Sequence, residues 1–255
     1  MSKNTLDFAI SIAKDAGQIL LNHYGKELTR NIKSDEADYS TEADHASEAF
    51  IIGEIQKHFP QDAIVAEESG EHAKLGAKYT WIIDPLDGTK NFANNKNSFG
   101  VFIARCKGTI PELVVGFDPV AKQLATATLG GGTYLNDQKI LLSNKVASSE
   151  KPFGANTELH SRLQPLGLSK TNHSAIGATM NTLQGNYRAY ACNAGAVWDF
   201  VVPALLFSEA GWKVTNFANT KFIWDGIIAY DLPGIIAAPP ELHSKIVRML
   251  TNNIP

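Results

Sequence analysis

The sequence predicts layered α and β structure rather than a simple doubly wound sheet. Apolar residues recur at helical spacing near the N-terminus and then give way to short β-rich runs, the last pair of which resembles a hairpin. Later in the chain comes a helix that is apolar on nearly every side and so is expected to be buried. Helices and strands interleaved with antiparallel hairpins fit stacked layers.

The elements follow in order. Leu6, Ala9, Ile10, Ala13, Gly17 and Leu20 predict an amphipathic helix ending near Tyr24, closed by "YGKE". "STEADHASEAFIIGEIQKHFP" predicts a second helix, started by Thr41 and stopped before Pro60. The period then changes, and "AIVAEE", "YTWIID", "SFGVFIARC", "ELVVGFD" and "QLATATL" read as strands. "GGGTYLND" supplies a glycine-rich turn into a further short strand. The signal is looser after residue 145 until the apolar helix "VWDFVVPALLFSEAG", in which Pro203 falls in the first turns. "GIIAAPPELHSKIVRML" closes the chain as a strand and a helix opening at Pro239-Pro240. With no repeat, low-complexity tract or linker, residues 1–255 are expected to form one compact domain. Its halves would be an N-terminal α+β part (1–145) and a C-terminal α/β part (146–255).

Composition narrows the function. The chain has 255 residues, 44% hydrophobic and 19% charged, enough for a substantial core. A net charge of −3 predicts no dedicated nucleic-acid partner. That average hides an asymmetry, because the first 90 residues hold 16 acidic against 9 basic side chains. The N-terminus lacks a signal-peptide pattern and no run is long enough for a membrane span, which predicts a soluble protein. Two cysteines, Cys106 and Cys192, are too few for a disulfide framework, and no Cys/His pairing suggests zinc. A cytoplasmic location is expected.

The stretch "WIIDPLDGTKNF" carries the chemistry. Pro, Asp and Gly alone would make an ordinary turn. A buried strand, however, would deliver Asp84 to its end, and the Pro-Leu turn would bring Asp87 back beside it. Two carboxylates so close repel, and a divalent ion relieves both. Oxygen donors without thiol or imidazole favour Mg²⁺. Gly88 and Thr89 follow, with backbone N–H groups that could meet an anion. Glu67 and Glu68 end another apolar run, although a Glu-Glu pair alone is usually surface decoration. Asp44 is explained equally well as part of a capping box with Thr41. Asp199 opens a helix that continues wholly apolar from Phe200 to Leu206, so it needs either a capping role or a metal. Signatures of serine hydrolases, zincins, P-loops and dinucleotide folds are absent. The D-x-D-x-T phosphatase pattern does not fit, because the aspartates are three apart.

Together, "IKSDEADYSTEAD", "AEES", "DPLDGTKNF", "GFDPVAKQLATATLGGGTYLND" and "VWDFVVPALLFSEAG" resemble the inositol monophosphatase family of Mg²⁺-dependent, lithium-sensitive phosphatases, over almost the whole chain. The resemblance implies a layered αβαβα sandwich, usually a homodimer, acting on a small phosphate monoester. It implies that Glu67, Asp84 and the Leu86 carbonyl hold one Mg²⁺, and Asp84, Asp87 and Asp199 a second. Asp44 and Thr89 would activate water, the Gly88 and Thr89 amides would hold phosphate, and Gly177, Ala178 and Thr179 would line the substrate side. Two positions depart from inositol-selective members: Cys192 stands seven before Asp199, where an acidic residue contacts substrate hydroxyls, and Lys90 replaces the commoner residue. Fructose 1,6-bisphosphate, histidinol phosphate and 3′-phosphoadenosine 5′-phosphate stay open as substrates, and so does a regulatory, partner-binding role.

Overall fold

The computed structural model describes residues 3–35, 38–142, 151–155, 157–167, 169–170, 174–193, 195–221 and 234–251. The expected divide between halves at 145/146 lies outside these residues. Helix α1 (Lys3–His23) leads into a hairpin of β1 (Arg30–Asp35) and β2 (Asp38–Thr41), then α2 (Glu42–His58). Next come β3 (Ala63–Ala66), β4 (Gly70–His72), β5 (Tyr79–Asp87) and the short α3 (Thr89–Ala93). An antiparallel meander follows: β6 (Gly100–Lys107), β7 (Ile110–Asp118), β8 (Gln123–Thr128), β9 (Gly132–Leu135) and β10 (Gln138–Ile140). The second part holds β11 (Phe153–Ala155), α4 (Thr157–Leu163), β12 (Ser169–Lys170), α5 (Ala175–Leu183) and β13 (Tyr190–Cys192). It ends with α6 (Val197–Glu209), β14 (Lys213–Thr215), β15 (Ile235–Ala238) and α7 (Pro240–Thr251).

Two sheets result. The first runs β10-β9-β8-β7-β6-β5-β3-β4, antiparallel except where β3 pairs with β5; the second runs β12-β11-β13-β15-β14. Alternation along the strands sorts side chains between layers. On β5, Trp81 and Ile83 face α1 and α2, packing with Ala9, Ala13, Ile51 and Ile55. Ile82, between them, faces the opposite way, towards Val197, Val201 and Phe200 of α6. The same alternation recurs in β15. Ile235 and Ala237 join the layer of α6, whereas Ile236 and Ala238 pack on Leu159 of α4 and Leu242 and Ile246 of α7. The order is therefore helices, sheet, helices, sheet, helices, the expected αβαβα sandwich.

Helix α6 is apolar all round because it lies between both sheets. Pro203 sits well inside it and cannot donate to the Asp199 carbonyl one turn earlier. Glu209, the charge at its far end, accepts the N–H groups of Gly130 (2.9 Å) and Gly132 (3.0 Å), holding the glycine-rich turn before β9. Among the described residues no helix is long and apolar enough to cross a membrane.

Candidate metal centre and active site

Strand β5 ends in the site. Its pairing with β6 is irregular between Asp84 and Asp87, where the Pro85-Leu86 turn interrupts the ladder. Asp84 Oδ1 accepts the Leu86 N–H at 3.0 Å, which folds the turn back on its own first aspartate. Gly88 then adopts φ 84°, and a Cβ there would lie 2.8 Å from the Ser98 carbonyl, so the exit from the turn requires glycine.

Asp87 is gripped from the second part of the chain. Its Oδ2 accepts from Ser174 Oγ (2.6 Å) and the Ile176 N–H (2.8 Å), and Oδ1 from the Ala175 N–H (2.9 Å). Ser174 is the N-cap of α5 and also accepts the Gly177 N–H at 3.1 Å. Asp199 stands in the first turn of α6, where its Oδ2 takes the Ala196 N–H at 2.7 Å. One oxygen each from Asp84, Asp87 and Asp199 lies within 4.8 Å of the others.

Charge is expensive here. Burial first, then Glu67, Asp87 and Asp199, pushes the Asp84 pKa well above the carboxylate range. Burial and the charges of Asp87 and Glu67 do the same to Asp199, although its edge opens to the cleft. Asp87 is also raised by burial, against the bonds from Ser174, Ile176 and Ala175. Glu67 is pushed up to about 7, chiefly by burial. Lys33 of β1 opposes that shift, with Nζ 3.0 Å from Glu67 Oε1 and 2.6 Å from Glu68 Oε1.

Beside the cluster, Thr89 Oγ1 is 3.0 Å from Asp44 Oδ1 and 3.1 Å from the Leu86 carbonyl. The other Asp44 oxygen accepts the Thr41 N–H (2.8 Å) and hydroxyl (2.6 Å) in a capping box. Burial raises Asp44 to about 6. A cleft of about 700 Å³ opens at the cluster, lined by Glu67, Glu68 and Asp199 with Asn31, His45 and Trp198 among others.

The sequence matches the inositol monophosphatase family over residues 1–254. The chain belongs to that family. It is 32% identical to the Nus factor SuhB of Salmonella typhimurium over 252 residues, covering 91% of this chain and 93% of that protein. Among solved structures, the extragenic suppressor protein SuhB of Bartonella henselae superposes with a TM-score of 0.87 at 25% identity, covering 99% and 100% of the two chains. The inositol monophosphatase of Anabaena gives 0.82 at 28% identity, covering 98% and 96%.

In this inositol monophosphatase family chain the expected site residues divide into three groups. Asp84, Asp87 and Asp199 form the cluster, and Glu67 borders it. Asp44, Thr89 and the Leu86 carbonyl form a hydrogen-bonded group at its edge, next to Gly88. Gly177, Ala178 and Thr179 lie inside α5, all buried, with the Thr179 hydroxyl fully enclosed rather than presented to the cleft. The all-oxygen donor set, with carboxylates that burial and mutual repulsion make costly, fits a hard divalent cation such as Mg²⁺. Sequence reasoning missed Lys33 and Ser174. Nothing local marks Lys33 as a partner of Glu67, whereas Ser174 ahead of the apolar "AIGATM" is an ordinary N-cap signal.

Proposed function

We propose that this chain is a Mg²⁺-dependent phosphatase acting on small phosphate monoesters. The convergence of Asp84, Asp87 and Asp199 carries the reading, because the repulsion among three carboxylates forced together in a buried place is relieved by a divalent cation without protonating any of them. Glu67, Asp84 and the Leu86 carbonyl would hold one ion; Asp84, Asp87 and Asp199 would hold a second. Mg²⁺ bound there supplies positive charge that acidifies a water and neutralises the charge developing on a phosphoryl group and its leaving oxygen.

The chain's own residues then move the proton. Thr89 Oγ1 takes it from the attacking water and gives its own to Asp44 Oδ1, 3.0 Å away. A carboxylate raised to about 6 is a stronger base than an ordinary aspartate and still ionised at neutral pH. The Gly88 and Thr89 amides are proposed to meet the phosphate. Cys192, half-buried where inositol-selective members carry an acid, supports a substrate range wider than inositol phosphates.

Phosphate release measured with and without Mg²⁺ tests the reading. Inositol 1-phosphate, fructose 1,6-bisphosphate, histidinol phosphate and 3′-phosphoadenosine 5′-phosphate make up the panel, compared as kcat/KM. Mg²⁺-stimulated release from at least one is expected; none from any overturns it. A second reading follows from the SuhB relatives of 30–32% identity, each a Nus factor. Complementation of a strain lacking its SuhB by an Asp84→Asn variant would favour that role independent of phosphatase chemistry.

A further inference from the structure

Helix α2 turns three buried polar side chains, Asp44, Ser47 and Glu48, towards the site, at the i, i+3, i+4 spacing of one helix face. Asp44 reaches Thr89 directly. The other two bond to backbone far along the chain. Ser47 Oγ donates to the Pro85 carbonyl at 2.8 Å, and Glu48 Oε2 accepts the Glu68 N–H at 2.8 Å. Ser47 is 0% and Glu48 4% exposed, so each bond is made out of water, and a buried carboxylate is costly without partners.

Both bonds act on a planar peptide unit adjoining a carboxylate. The Pro85 carbonyl shares its plane with the Leu86 N–H, which donates to Asp84 Oδ1, so fixing one end of that plane aims the other. The Glu68 N–H shares its plane with the Glu67 carbonyl, so Glu48 fixes the backbone from which the Glu67 side chain departs. One rigid helix thereby sets two chain segments, brought from β3 and β5, relative to each other.

We infer that Ser47 and Glu48 are positioning residues that set the separation between Glu67 and the Asp84 turn, and through it the affinity for Mg²⁺. This rests on the Mg²⁺ reading above. The test is titration calorimetry of the metal-free protein with Mg²⁺, beside the Mg²⁺ concentration giving half-maximal phosphate release. Glu48→Met keeps the bulk and removes the acceptor, Glu48→Gln keeps an oxygen acceptor, and Ser47→Ala removes the donor. The Mg²⁺ dissociation constant is expected to rise about tenfold in Glu48→Met and Ser47→Ala, with Glu48→Gln within about twofold of wild type. The half-maximal Mg²⁺ concentration should move in parallel, with a smaller change in kcat. Variants that melt lower yet bind Mg²⁺ as wild type does would overturn the positioning role, as would Glu48→Gln losing as much as Glu48→Met. Should Glu48→Met not fold, Ser47→Ala and Glu48→Gln decide the matter. A wild-type protein without Mg²⁺ binding would overturn the Mg²⁺ reading, and this role with it.

Discussion

At the start of β5, Trp81 Nε1 (2.9 Å) and Arg105 Nε (2.8 Å) converge on Asp62 Oδ2, and the guanidinium stacks 3.6 Å from the Tyr79 ring centroid. At the end of the same strand, Asp84 meets Glu67, Asp87 and Asp199. Asp62, just before β3, and Asp84, on β5, are both buried, yet one is surrounded by donors and the other by acids. Burial alone therefore does not mark a functional carboxylate. What marks it is whether the protein supplies the balancing charge, as Arg105 does for Asp62, or leaves like charges facing one another.

Neutralising each acid should separate the two ends most clearly. Asp84→Asn is expected to lower Mg²⁺-dependent phosphate release by roughly 10²–10³-fold, as when transition-state charge stabilisation is removed elsewhere. It should leave the melting temperature of the metal-free protein unchanged or higher, since one of the repelling charges is gone. Asp62→Asn has the reverse signature. It strands a buried guanidinium and is expected to cost about 3 kcal/mol in chemical denaturation, with the Mg²⁺ dissociation constant unmoved. If both variants lose stability alike and neither alters Mg²⁺ binding, the contrast between the ends of β5 is wrong.

Much of this was legible before the structure, wherever a short stretch carries its own physics. The helix boundaries follow from Thr41, Pro60 and Pro239-Pro240, and the β7–β8 hairpin from two alternating runs around "PVAK". At Asp44 the two sequence explanations coexist, because Oδ2 closes the capping box while Oδ1 faces Thr89. Partners set by the packing of distant layers were not legible. Lys33 meets Glu67 34 residues away, Ser174 meets Asp87 across 87, and Glu209 meets Gly130 across 79. Helical and strand periods fix which face is apolar; they do not say which polar group on another layer will sit opposite. Gly177, Ala178 and Thr179 belong here too, since only the fold shows that α5 buries them.

Acidity offers a smaller test of the same contrast. An acid whose pKa is higher folded than unfolded stabilises the fold below its unfolded pKa, and that contribution is lost as pH rises through the folded value. Glu67, from 4.5 to about 7, and Asp44, from 3.8 to about 6, place the loss between roughly pH 4 and 7 in the metal-free protein. His243, buried beside Thr215 on the second sheet, has the opposite sign. Burial lowers it from 6.5 to about 4, so its contribution holds above pH 6.5 and is lost as pH falls towards 4. Thermal scans should show a metal-free melting temperature that falls by about 5 °C towards neutral pH on the carboxylate limb. Saturating Mg²⁺ should abolish that limb and leave the His243 limb in place. A limb indifferent to Mg²⁺ would mean that the carboxylates behind it lie out of reach of the bound ion, and no limb at all would mean that they are balanced within the protein, as Asp62 is by Arg105.

The smallest effect expected is at Ser174, which combines both kinds of role. Its hydroxyl caps α5 by accepting the Gly177 N–H, and it donates one of the three hydrogen bonds that hold Asp87. Ser174→Ala removes a cap, worth about 1 kcal/mol. Asp87 keeps the Ala175 and Ile176 N–H groups, so it should stay near its place with more freedom. A melting temperature lowered by about 3 °C together with a Mg²⁺ dissociation constant raised several-fold is the expected pair of results. The two readouts discriminate, because a residue that only caps a helix would show the first without the second. Loss of Mg²⁺ affinity alone would mean that α5 tolerates an uncapped end and that Ser174 serves the Asp87 carboxylate.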